Sequence, residues 1–175
     1  MELLTAPPCD PYCCGEHPIV VIQLLNKRQI RVQLEPAAAP ITVAYFLQLV
    51  QEGFYNGLKF HRVAPGFVIQ GGDPTGTGDG ETDYYVKGEF AENGIDNPVK
   101  HTRGTISLAR QESCDSASCQ FFITLVDAPA LDGHYAGFGH VIEGMDVVDY
   151  VGSVRITSYD KPRIPIIVTR MYVEE

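Results

Sequence analysis

The chain has 175 residues, enough for one domain with a sizeable core, and its 45% apolar and 20% charged content argues against intrinsic disorder. A net charge of −9, from 22 acidic against 13 basic residues, argues against nucleic acid or an anionic membrane as the main partner, because both are bound through clustered Lys and Arg. The N-terminus lacks the basic start and apolar core of a secretory signal, and no run approaches the ~18 apolar residues that span a bilayer. With five cysteines, an odd number, the expectation is a cytoplasmic protein carrying reduced thiols rather than a disulfide framework.

Residues 1–17 hold three prolines, three cysteines and no hydrophobic period, and read as an extension to a domain that occupies 18–175. From Ile19 the chain is strand-like. Residues 19–25 are apolar apart from Gln23, Asn26-Lys27-Arg28 make a turn, and 29–34 alternate strictly. Ile30, Val32 and Leu34 point one way and Gln29, Arg31 and Gln33 the other, which predicts an antiparallel hairpin with one wet face.

Pro40 then opens a helix where its missing N–H costs nothing. Val43, Phe46, Leu47 and Val50 recur at i, i+3, i+4 and i+7, and Gly53 is placed to end it. Short strands are expected at 60–63, 67–71, 105–108, 121–125, 137–141 and 166–173, with Gly, Pro, Asn and Asp between them. Val147, Val148 and Val151 suggest a second short helix. Many short strands with two helices fit an antiparallel barrel or sandwich plugged by helices.

Three blocks carry the chemistry. The first is Phe60-His61-Arg62-Val63-Ala64-Pro65-Gly66-Phe67-Val68-Ile69-Gln70-Gly71-Gly72-Asp73. The second is Gly104-Thr105-Ile106-Ser107-Leu108-Ala109-Arg110, followed by Ser116-Ala117-Ser118-Cys119-Gln120-Phe121-Phe122-Ile123. The third is Leu131-Asp132-Gly133-His134-Tyr135-Ala136-Gly137-Phe138-Gly139. In this order and at these distances they resemble the signatures of the cyclophilin family of peptidyl-prolyl cis-trans isomerases, from about Ile19 to Val173. The resemblance looks closest to the single-domain bacterial branch, whose members similarly carry Gly-Asp-Pro-Thr-Gly-Thr-Gly at 72–78.

The resemblance implies a mainly β fold, a closed or nearly closed eight-stranded antiparallel barrel capped by two helices, with a peptide groove on its outer face. It implies a cofactor-free, metal-free enzyme, monomeric by default, acting on X-Pro bonds in unfolded or exposed protein segments and so assisting folding. Arg62 would be the electrostatic catalyst, with Gln70 orienting it and Phe122 in the proline pocket. Phe67, Val68 and Leu131 would complete that pocket, and Ala109, Arg110, Gln120 and Tyr135 would line the rest of the groove. Taken singly, such an Arg is ordinarily a solvated charge and such aromatics are ordinarily core; the case rests on the ordered blocks.

The chain departs from the family's animal members in places. Ala130 stands where many carry a tryptophan that contacts cyclosporin, so weak or no cyclosporin binding is expected. Tyr135 replaces a common His, the loop 111–118 looks one residue longer, and Cys119 stands where a small hydroxyl residue is usual. His61 reads as a hydrogen-bonded structural residue rather than a base. No Ser-His-Asp arrangement is readable from sequence.

Competing signals are weaker. The glycine-rich stretch 71–80 lacks the Lys-Ser/Thr of a phosphate loop, and Pro74 leaves no helix start, so a structural turn is expected. Cys9, Cys13, Cys14 and His17 have ligand chemistry within nine residues but no recognised zinc spacing, and exposed free thiols are the default. A metal or redox sensor built on them stands as an alternative, as does a proline-peptide binding module with incidental turnover. Cys114 and Cys119 bracket a loop beside the proposed site, where a regulatory disulfide is a further hypothesis.

Overall fold

The computed structural model describes residues 1–175. The hairpin forms as β2 (Ile19–Leu24) and β3 (Gln29–Leu34), and its alternation is obeyed: Ile30, Val32 and Leu34 are buried while Gln29 is exposed. Six strands follow in the same sheet: β4 (Arg62–Ala64), β5 (Val68–Gly71), β7 (Thr105–Leu108), β8 (Phe121–Thr124), β9 (Gly137–Glu143) and β10 (Val168–Val173). The spatial order is β10-β2-β3-β9-β7-β8-β5-β4, and every pairing is antiparallel. The two edges approach each other just before β4 and β10. Lys59 bridges Ile167, and the Phe60 N–H donates to the Ile166 carbonyl at 3.0 Å. The sheet therefore curls almost shut, with bare edges largely abolished.

Helix α1 (Pro40–Gln51) plugs the barrel. It buries residues nearly all round its circumference, because sheet covers one side and chain segments cover the other. Phe46 sits edge-on or tilted to Tyr55, Phe121 and Phe138, with ring centroids 5.0–5.8 Å apart. No side chain of its own caps the helix. Instead the buried carboxylate of Glu89 accepts from the backbone N–H groups of Ile41 and Thr42 at 3.0 and 2.8 Å, satisfying two orphan donors and meeting the positive end of the helix dipole. Helix α2 (Met145–Gly152) buries Val147, Val148 and Val151. No helix is long and apolar enough to cross a membrane.

The N-terminal extension contributes a strand of its own. Glu2–Leu4 forms a strand, β1, pairing in parallel with β6 (Tyr84–Val86). The Lys87 N–H donates to the Leu4 carbonyl at 3.0 Å, and the Cys9 thiol lies on the Ala44 carbonyl of α1. Three residues are too few to show a period, so backbone pairing formed here without a pattern to announce it.

Candidate active site

Strands β4, β5, β8 and β7 are successive neighbours, and their register brings one residue from each into a line. Arg62 faces Gln70, Gln70 faces Phe122, and Phe122 faces Ser107. Directly opposed residues share a face, so positions far apart in sequence form one row across the sheet. Phe121, one residue along, necessarily points inward and joins the aromatic core.

The row is wired by hydrogen bonds. Arg62 Nη1 donates to Gln70 Oε1 at 3.2 Å, and Gln70 Nε2 donates to Gln120 Oε1 at 2.9 Å. Gln120 Nε2 in turn donates to the Gly78 and Gly80 carbonyls, both at 2.9 Å. Arg62 forms no ion pair and has one protein hydrogen bond, leaving the rest of its half-buried guanidinium edge free to donate.

A groove of about 170 Å³ runs along this row. Phe67, Val68, Phe122 and Leu131 supply apolar surface beside Arg62 and Gln70, while Ala109, Arg110 and Tyr135 form the far side. Nine of the ten site residues expected from sequence thus line one groove. Gln120 lines the adjoining depression and reaches the groove through Gln70. The second arginine differs sharply from the first. Arg110 donates to the carbonyls of His134, Gln111 and Glu112 and to the Glu92 carboxylate, and its plane lies over the rings of Tyr135 and Phe90. Its side chain is committed to holding the wall.

Beneath the apolar slot lies a feature the sequence did not announce. Phe122 packs edge-on against Tyr135 at 5.6 Å and stacks on His101 at 6.2 Å. His101 Nδ1 is 3.0 Å from Asp132 Oδ1, and its Nε2 is 3.0 Å from Ser107 Oγ. The carboxylate fixes the proton on Nδ1, so Nε2 accepts from the Ser107 hydroxyl. This is a Ser-His-Asp chain, but Ser107 is wholly buried and cannot meet a substrate. Its place is structural, a polar brace behind Phe122. Burial holds His101 below the ordinary histidine value, against the opposite pull of Asp132.

The glycine-rich loop is a turn built around its own carboxylate. Asp73 accepts from the Thr75 N–H and hydroxyl and from the Gly78 N–H. Burial alone would raise its pKa, yet the donors of Thr75, Gly78 and Gly80 outweigh burial and bring it down to about 2. Gly72 has φ +87°, and a Cβ there would lie 2.7 Å from the Cys119 carbonyl, so the turn requires glycine.

One histidine expectation changes. His61 is buried, but neither ring nitrogen has the hydrogen-bond partner expected, and burial lowers its pKa. The four candidate zinc ligands do not converge, since His17 pairs with Glu35 at 3.1 Å. All five cysteines are free thiols, Cys114 and Cys119 included; Cys119 is fully buried, which pushes its thiol up to about 11.

The family model described as cyclophilin type peptidyl-prolyl cis-trans isomerase matches residues 19–173. A Helicobacter pylori peptidyl-prolyl cis-trans isomerase is 46% identical over 128 residues, covering 72% of this chain and 76% of the relative. The Schizosaccharomyces pombe peptidyl-prolyl cis-trans isomerase ppi1 is 42% identical over 138 residues, covering 79% and 88%. A crystal structure of a Cryptosporidium parvum cyclophilin type peptidyl-prolyl cis-trans isomerase in the presence of the dipeptide Ala-Pro superposes with a TM-score of 0.82 at 30% identity, covering 90% of this chain and 99% of that one. The chain belongs to the cyclophilin-type peptidyl-prolyl cis-trans isomerases.

Proposed function

We propose that the groove isomerises X-Pro peptide bonds with Arg62 as its electrostatic catalyst. Partial double-bond character sets a barrier of about 18–20 kcal/mol to peptide rotation. X-Pro is the tractable case, because its cis form lies only about 0.5–1 kcal/mol above trans. No nucleophile or proton relay is needed. As the bond twists, conjugation breaks, the proline nitrogen pyramidalises and its lone pair becomes an acceptor. A fixed cationic donor then stabilises the twisted state more than either planar one.

The observation that carries this reading is the contrast between the two groove arginines. Arg62, beside the apolar slot, keeps most of its donors unspent, whereas Arg110 has used its own. Phe67, Phe122 and Leu131 receive the proline ring, Gln70 orients Arg62, and Ala109 lends backbone groups to the extended peptide. The substrates are proline-containing segments of unfolded or flexible proteins, so the enzyme assists folding. The Cryptosporidium parvum relative, crystallised in the presence of Ala-Pro, supports this substrate class. The free thiols support a reducing compartment, the cytoplasm, and we place the protein there as a monomer. Small and exposed, Ala130 next to Leu131 in the chain supports weak or absent cyclosporin binding.

Exchange NMR on an Ala-Pro tetrapeptide tests the activity. Acceleration by protein at well below peptide concentration, in metal-free buffer with reductant, is the expected result. Peptide binding with no acceleration would leave a binding module instead.

A further inference from the structure

The 22 acidic residues are not spread evenly over the surface. Two loops at one end of the barrel, 24–28 and 153–167, carry Lys27, Arg28, Arg155, Lys161 and Arg163. These are five of the chain's thirteen basic residues, and Asp160 is the only acid in the same two segments. All five are exposed. The Leu25 N–H donates to the Ile167 carbonyl at 3.0 Å and joins the two loops, while the Arg163 N–H donates to the Arg155 carbonyl at 2.9 Å within the second.

Between them runs an apolar groove of about 230 Å³, lined by Leu25, Tyr150, Ile164, Pro165 and Ile167. Leu25 is 64% exposed and Ile164 78%, the two most exposed aliphatic side chains in the interior of the chain. Single exposed apolar residues need no explanation, but these share one groove. Arg28 lies 4.6 Å over the Tyr150 ring, which holds a cation at the lip. The nearest acids on α2 do little to neutralise it, because Asp149 is already paired with Arg103 at 2.6 Å. Only Asp146 remains on that helix. Arginine and tyrosine around an aliphatic centre is the composition of protein interfaces.

We propose that this groove, separate from the one at Arg62, docks an acidic peptide segment bearing aliphatic or aromatic side chains, from a partner protein. Charge complementarity selects the occupant. The remainder of the surface is strongly acidic and repels such a segment, so it is steered to this end. Its apolar side chains fill the space between Leu25 and Ile164 while its carboxylates meet Arg28 and Arg163.

The test uses a proline-free dodecapeptide alternating Glu or Asp with Leu or Phe, labelled for fluorescence anisotropy against the full chain. Saturable binding is expected, at least tenfold weaker for Arg28→Glu/Arg163→Glu and for Leu25→Ser/Ile164→Ser, and weakened by salt. Both double variants are expected to retain X-Pro isomerisation of a short peptide, which shows that they fold. Control peptides with Lys for the acids, or Ser for the apolar residues, are expected to bind at least tenfold more weakly. The proposal is overturned if the acidic peptide does not bind, or if both double variants bind it as well as wild type. It is also overturned if sedimentation shows a dimer that Leu25→Ser/Ile164→Ser dissolves, since the occupant would then be a second copy.

Discussion

Arg62 and Gln70 face each other directly in the β4–β5 register, and the guanidinium of one donates to the side-chain carbonyl of the other at 3.2 Å. The pair is the first link of a chain that continues through Gln120 to the glycine-rich loop. Orientation of the cation is therefore set by side chains on β5 and just ahead of β8, and by backbone carbonyls of the loop, not by Arg62 alone. Gln70→Leu removes the acceptor while keeping the volume close. A hydrogen bond to a charged group contributes about 1.5–3 kcal/mol. We expect kcat to fall roughly tenfold or more with KM little changed. An unchanged kcat would mean that Arg62 is aimed by something else.

The buried Ser107–His101–Asp132 chain predicts a different kinetic signature. His101 backs Phe122, so His101→Ala leaves a void under the apolar slot and is expected to raise KM more than it lowers kcat. Its titration adds a stability test. The folded pKa lies below the ordinary histidine value, so the unfolded chain takes up the proton first. The stability contributed by neutral His101 is complete above that ordinary value and declines as pH falls through it toward the folded pKa. His61, also lowered by burial, acts in the same sense. Thermal melts from about pH 8 to 5 are expected to show Tm falling in acid, with a smaller fall in His101→Gln.

Asp73 gives an acid-range prediction. Its folded pKa of about 2 lies below the ordinary aspartate value of 3.8. The stability it contributes is present above 3.8 and is lost as pH drops from there toward 2. Asp73→Asn is expected to melt earlier than wild type at neutral pH, and the gap is expected to close between about pH 4 and 2. A gap independent of pH would show that charge on Asp73 is irrelevant to the turn.

Much of this architecture was legible because the informative residues are contiguous. Arg62, Phe67, Val68 and Gln70 fall within nine positions, and strict alternation in β3 announced its buried face. Helix α1 declared itself through Pro40 and its period. What stayed hidden was long-range. His101, Ser107 and Asp132 come from different elements and meet only when β7 and the turn at 129–131 are in place. Glu89 caps a helix almost fifty residues upstream, and no local pattern marks it. The β1–β6 pairing escaped because three-residue strands have no period.

The most direct measurement compares wild type with Arg62→Ala in two readouts on one Ala-Pro peptide, the rate of cis-to-trans exchange and the dissociation constant. Removing one preorganised donor from a developing charge typically costs about 10²–10³ in rate. The account predicts a loss of that order with affinity changed only a few-fold, because Arg62 acts on the twisted state rather than on the bound peptide. Full activity in Arg62→Ala, or equal losses in rate and affinity, would contradict it.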